Sequence, residues 1–348
     1  MNPIKEKRDR PALRIACITI ILILAIIQSA SQDSRATPDP ISFNEEFQNR
    51  LKKADLGDPA SAFEVARFYH KDIRGPRDFN LAVKYYEISG KNGFCSGWYE
   101  LGMIYSNGKL VKKDIPLAER FFTMSKNCYE ESVQNGMPTS PIDQYAYGMI
   151  LKTDRTGEGI RRSLAFEHLL RSAASGISES VIEVSVMCLL EGMIPETLNK
   201  DDIIDMLSDL ALSGDVAAIS TSRQISEYNE LTELQRNKLS SSAKGGFELL
   251  TAEASLSDPA LTRYAALCYF SGIETKQSEE NGISYLLISA NLGNIDAMFD
   301  LAEIYRIRIM SSMSDSEILE NHQKAIFWYK LAANRGDIRS KITLENFK

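Results

Sequence analysis

Apolar side chains recur along this chain at three- and four-residue intervals, in runs that close on glycine. Leu81-Ala82-Val83-Lys84-Tyr85-Tyr86 leads to Gly93, and Leu164-Ala165-Phe166, continued by Leu169-Leu170-Arg171-Ser172-Ala173-Ala174, leads to Gly176. The run from Ile203 to Leu207 leads to Gly214, and Asn281 to Ala290 leads to Gly293. Ala325-Ile326-Phe327-Trp328-Tyr329-Lys330-Leu331-Ala332-Ala333 leads to Gly336. This period predicts amphipathic helices with one buried face. No stretch alternates with a two-residue period for long enough to predict a sheet.

A second pattern sits between these runs, a small residue followed three positions later by tyrosine. It reads Ala66 to Tyr69, Gly102 to Tyr105 (preceded by Leu101, with Gly108 beyond), Ala266 to Tyr269 with Gly272, and Ala302 to Tyr305. A small residue lets two helix backbones approach, and the ring fills the space beside it. The closing glycines 93, 136, 176, 214, 246, 293 and 336 are 43, 40, 38, 32, 47 and 43 residues apart, the range of paired-helix repeats. Each is expected to take the left-handed conformation that ends a helix. Asp215, Asn294 and Asp337 follow their glycines as N-caps, and Asp58-Pro59 and Asp258-Pro259 add proline at the first helical position.

These residues resemble the Sel1-like repeat family, a relative of the tetratricopeptide repeats. The best copies are residues 97–126, with Leu101, Gly102, Tyr105, Gly108, Asp114, Ala118, Phe121 and Phe122, and residues 296–336. The resemblance covers residues 54–336. Residues 177–250 fit it badly: Val181 to Leu190 lacks the tyrosine, and Ala217 to Ile225 lacks both tyrosine and glycine. Drifted repeats and a short non-repeat helical insert both remain open there. The family implies an all-α, right-handed superhelical solenoid of about seven helix-turn-helix repeats, spanning 58–336 with 177–250 degenerate. The motif positions it implies are structural, and Ala118, Ala173, Gly176, Ala325, Tyr329, Ala332, Ala333 and Gly336 belong with those named above. Ser42 to Glu45 has capping-box spacing, so residues 42–57 are expected as a capping helix and 337–348 as a half-repeat cap. Asn135 to Pro141 is expected to lengthen one connection, and Met310 to Ser316 to be a polar insertion.

Residues 1–31 stand apart from the repeats. Lys5, Lys7, Arg8, Arg10 and Arg14 precede the apolar run Ile15 to Ile27, and Ser29-Ala30-Ser31 follows it. That is the order of a secretory signal peptide. Thirteen residues span about 20 Å as a helix against a hydrocarbon core of ~30 Å. An uncleaved anchor is the alternative, and in both cases the basic flank stays cytoplasmic. Residues 32–41 are expected as a flexible, proline-punctuated leader. The expected location is therefore periplasmic or secreted, or the inner membrane with periplasmic repeats, membrane contact being through residues 1–31 alone.

Charge then narrows the partners. The 348-residue chain has net charge −7, and without residues 1–31 it has −10. Nucleic acid is effectively excluded, since an exported chain of net negative charge is a poor ligand for its phosphates. Four cysteines follow the leader: Cys188 and Cys268 sit in apolar runs and are expected to be buried thiols. Cys95 and Cys128 fall at the start and end of one repeat, so a disulfide between them stays open.

Little catalytic chemistry is left to find. His70, His168 and His322 lie in different repeats with no second ligand at metal spacing, and are expected on helix surfaces or loops. No serine nucleophile elbow or phosphate-cradling glycine loop occurs, and no cofactor or metal is implied. In Tyr85-Tyr86, Phe121-Phe122 and Phe327-Trp328-Tyr329, one ring is expected to face inward and one outward, where it can line a peptide groove. Some cysteine-rich Sel1-like proteins bind or hydrolyse β-lactams with cysteines paired seven residues apart. Here Ile88 lies seven before Cys95 and Asn135 seven after Cys128, which departs from that pattern. The expected function is an exported scaffold or regulator that binds a protein, such as a membrane sensor kinase or an envelope protein. Alternatives are a β-lactam- or cell-wall-active hydrolase and a membrane-anchored assembly factor.

Overall fold

The structure is a computed structural model describing residues 40–71, 78–108, 111–228, 230–254, 258–312 and 314–346. The expected export leader, residues 1–31, and nearly all of the 32–41 leader lie outside the described residues.

Sixteen α-helices and no strands occur among the described residues. A first helix α1 (Pro40–Asp55) is followed by seven antiparallel pairs. They are α2 (Pro59–Lys71) with α3 (Phe79–Lys91), α4 (Ser96–Asn107) with α5 (Ile115–Gln134), and α6 (Pro141–Thr153) with α7 (Arg162–Ala174). Next come α8 (Ser178–Leu189) with α9 (Lys200–Leu212), and α10 (Val216–Ser226) with α11 (Glu233–Ala254). The last two are α12 (Pro259–Ser271) with α13 (Glu279–Asn291), and α14 (Ile295–Ser311) with α15 (Asp315–Asn334). A half repeat, α16 (Ile338–Asn346), follows. The first helix of each pair is called the A helix below and the second the B helix. Each helix packs on its chain neighbours, so the fold is an all-α solenoid.

Local chemistry starts and stops these helices. The side chains of Asp215, Asn294 and Asp258 accept backbone N–H groups at the starts of α10, α14 and α12. Thr232 and Gln235 exchange reciprocal bonds ahead of α11. Gly93, Gly136, Gly176, Gly214, Gly293 and Gly336 have φ between 67° and 104°, the left-handed values needed beyond a helix end. Gly246 does not behave as expected. The 22-residue α11 runs through it, and a Cβ there would lie 2.1 Å from the Ala211 carbonyl oxygen. Close approach to α9, rather than termination, is what that position requires. Helix α1 begins at Pro40, two residues before the expected Ser42 cap, since proline's fixed φ suits a first turn.

The apolar core is divided. One cluster joins α1 to α4, a second runs from α7 to α11, and a third from α12 to α15. Residues 178–250 form helix pairs that bury Val184, Met187, Ile204, Leu207 and Ile219 in the second cluster. Small clusters bridge the gaps, at α5–α6 and at α11–α12. These are also the two least extensive contacts between consecutive helices.

Candidate interaction surface

The small-residue positions lie where helices cross. Ala66, Leu101, Ala266, Ala302, Ala325 and Ala332 are fully buried, and Ala118, Ala173 and Ala333 nearly so. A Cβ at Gly102 would meet the Phe122 ring at 2.6 Å, so that ring packs directly on the α4 backbone. The tyrosine three residues on stacks against the B helix of its own pair: Tyr69 on Tyr85 at 6.2 Å, Tyr105 on Phe121 at 5.6 Å, Tyr269 on Tyr285 at 5.3 Å. Tyr305 instead lies beneath Lys324. Gly108 and Gly272 take φ of 66° and 71° and end α4 and α12, as Gly176 and Gly336 follow α7 and α15.

Of the three aromatic sets, only Phe327-Trp328-Tyr329 turns one ring fully outward. Tyr85 and Tyr86 are both buried, as are Trp328 and Tyr329, while Phe121 stacks between Trp98 and Tyr105. Among these rings Phe327 alone is an exposed large hydrophobic, at 58%.

His168 is a second departure from expectation. Only 8% exposed, it lies edge-on to Tyr129 and Tyr147, with Nδ1 3.2 Å from the Tyr129 hydroxyl. Burial pushes its pKa down to about 4, with Arg171 adding to the effect and Glu167 opposing it. A lone histidine between Glu167 and Leu169 gives no sequence sign of that stack. His70 sits 3.1 Å from the Tyr86 hydroxyl and is half-buried, as is His322. Among the described residues no cluster of three or more His, Cys, Asp or Glu side chains can hold a metal ion. No described helix is long and apolar enough to cross a membrane.

Cys95 and Cys128 form a disulfide, tying the start of α4 to α5. Cys188 and Cys268 are buried thiols, and burial raises both pKa values, to about 12 and about 11. Beside the disulfide, the buried Asp143 carboxylate of α6 accepts the Ser96 N–H and hydroxyl, both at 2.7 Å. It therefore sits at the positive end of the α4 dipole. Burial raises the Asp143 pKa, and the Ser96 and Ser140 hydrogen bonds act against that rise.

A row of serines, missed from the sequence, links B helices to A helices. Ser89, Ser125, Ser172 and Ser289 donate to the carbonyls of Pro59, Cys95, Pro141 and Pro259, at sequence separations of 30, 30, 31 and 30. That constant offset is the signal that could have revealed them.

The A helices of successive repeats lie side by side and are joined across their shared face. Arg50 of α1 pairs with Glu64 of α2, and Tyr99 of α4 meets Tyr145 of α6 at 6.1 Å. Lys152 of α6 binds Glu183 of α8 at 2.5 Å. Arg263 of α12 binds Asp300 of α14, and Asp296 of α14 binds Arg339 of α16, both at 2.6 Å. Between these pairs the face exposes half-buried apolar side chains, among them Met103, Tyr145, Met149, Ile182 and Val186. At its first end, Phe47, Val65 and Phe68 floor a shallow depression rimmed by Glu46, Arg50 and Glu64.

Comparison with known proteins agrees with this geometry. The Sel1 repeat model matches residues 59–94, 99–128, 142–177, 258–294 and 295–337, together just over half of the chain. Its segments leave out 178–257, the stretch whose tyrosine and glycine signals are weak. No curated protein matches. Among solved structures the chain is similar to a Sel1 repeat protein of Oxalobacter formigenes, at 18% identity over 86% of this chain and 90% of that one, with a TM-score of 0.34. It is also similar to c5321, a protective antigen of uropathogenic Escherichia coli strains displaying an SLR fold, at 19% identity over 86% and 74%, TM-score 0.27. A Sel1 repeat protein of Klebsiella pneumoniae subsp. pneumoniae is similar at 11% identity over 72% and 95%, TM-score 0.32. With five matched segments and a helix-pair stack on the page, the chain belongs to the Sel1 repeat family, whose fold typically serves as a protein-binding scaffold.

Proposed function

We propose that this chain is an exported scaffold of the bacterial periplasm that regulates a membrane signalling protein by holding it on the A-helix face. The observation that carries the export reading is the Cys95–Cys128 disulfide in a chain whose first 31 residues have signal-peptide order. Disulfides persist in oxidising compartments and are rare in the cytosol. The face itself favours a protein partner. It offers half-buried apolar side chains with charged groups between them, and a surface of that kind gains by exclusion of water under a complementary chain.

Cell fractionation with N-terminal sequencing tests the reading. A periplasmic chain beginning near residue 32, resistant to thiol alkylation at Cys95 and Cys128, is the expected result. Retention of residues 1–31 in the membrane fraction would keep the scaffold and replace the soluble form by an anchored one. A cytoplasmic chain with both thiols reduced would overturn export. Crosslinking in the same cells is expected to recover a membrane sensor; recovery of wall glycan or wall enzymes would replace that partner.

A further inference from the structure

The A-helix face is not uniform along its length. Over α4, α6 and α8 it presents Met103, Tyr145, Met149, Ile182 and Val186, each packed on the core from one side and half-exposed on the other. Tyr99 and Tyr145 meet at 6.1 Å and the Lys152–Glu183 bond closes the α6–α8 edge, so these side chains share one continuous surface. Methionine adapts its shape to a partner, and a braced tyrosine gives a rigid anchor. Glu100, Glu179 and Glu183 surround Tyr145, and Asp215 at the start of α10 lies close to Glu179. Lys152 is spoken for by Glu183, and Arg155 lies over the Phe122 ring. Glu179 is exposed and no described basic side chain bonds to it.

Resting on the scaffold reading, we infer that this strip docks an extended segment of a protein partner that carries a lysine or arginine among apolar side chains. Three adjacent helices at packing distances of 8–10 Å present about 20 Å of surface. About six residues of extended chain span that length. The apolar members of such a segment would cover the two methionines and Tyr145, and its cation would reach Glu179 at the α8 rim. Acidic segments are disfavoured by the same carboxylates.

A photo-reactive benzophenone amino acid placed at Met149, and in a parallel strain at the exposed Phe327, tests this in cells producing the full chain. The expected product at Met149 is a crosslink to a partner peptide containing lysine or arginine flanked by apolar residues. A labelled synthetic copy of that peptide should bind the purified chain, more weakly at higher salt, and about tenfold more weakly after Glu179→Lys. A protein captured at Phe327 but not at Met149 would leave the scaffold reading intact and overturn the strip. Nothing captured at either position would count against both. Lipid or glycan at Met149, an acidic peptide there, or a synthetic peptide whose affinity ignores Glu179→Lys would also overturn the inference.

Discussion

Gly245 and Gly246 are neighbours in one helix, yet they answer to different constraints. A Cβ at Gly246 would collide with the Ala211 backbone carbonyl at 2.1 Å, whereas at Gly245 it would meet only the movable end of Leu212 at 3.0 Å. Gly246→Ala is therefore expected to destabilise the chain by about 1–3 kcal/mol through overpacking. Gly245→Ala should be neutral, or stabilising by up to about 1 kcal/mol, because alanine restricts the unfolded helix more than glycine does. Urea unfolding of the two variants checks this; equal effects would mean that α9 and α11 do not meet there. His168 makes a second prediction. Its folded pKa of about 4 lies below the usual histidine value near 6.5, so the unfolded chain binds the extra proton. The stability it contributes is complete above pH about 6.5 and is lost as pH falls toward 4. An NMR titration of the imidazole should find it neutral at pH 6, and a midpoint at 6 or above would refute the buried stack with Tyr129 and Tyr147.

Helix pairing is held by groups that sequence periodicity does not rank. The Ser172 hydroxyl bonds the Pro141 carbonyl at 2.7 Å, while the buried Ser208 hydroxyl has no protein partner. Ser172→Ala should cost about 1–3 kcal/mol and Ser208→Ala close to nothing, since only the first removes hydrogen bonds, to the Pro141 carbonyl and from the buried Ser180 hydroxyl, which loses its acceptor. Thermal unfolding of both variants tests the pairing. The Cys95–Cys128 bridge closes a separation of 33 residues, which for a chain-entropy model corresponds to about 3–4 kcal/mol. Reduction, or Cys128→Ala with Cys95→Ala, should lower the stability of the α4–α5 pair by that order. What was legible in the sequence follows from these causes. Gly108, Asp215, Tyr105 and Ala302 act within a helix or on its nearest partner, so their spacing alone placed them. Gly246, His168 and Tyr85 depend on which helix comes to lie opposite, and that is a property of the stack. The half-buried side chains of α6 and α8 were illegible for a related reason: Tyr145 and Ile182 carry the same apolar signal as core residues.

At the scale of the molecule, the divided core implies divided stability. Buried apolar packing is continuous within the clusters of α1–α4, α7–α11 and α12–α15, while the junctions between them rest on smaller clusters that mix Leu151, Ile150 and Leu261 with aromatic and polar side chains. At α5–α6, Tyr129 stacks on Tyr147 at 4.3 Å, Tyr147 donates to Glu130, and Lys126 reaches Glu158 at 2.6 Å. At α11–α12, Phe247 and Cys268 form a small cluster, and the nearly buried Glu274 carboxylate lies 3.8 Å from Arg223, a distance that leaves one oxygen without a hydrogen bond. A solenoid's stability is close to a sum of repeat and nearest-neighbour terms, so weak interfaces decide where it parts. Native-state hydrogen exchange is therefore expected to show three blocks of protection, with the lowest opening free energies at residues adjoining the two junctions. Reductant should lower protection in α4 and α5 and leave α12 to α15 unchanged. Replacing Tyr129 with alanine should uncouple the first block from the second without altering exchange in the third. Uniform protection across all seven pairs, falling everywhere at once on reduction, would mean that the small junction clusters couple the repeats as firmly as the large ones do.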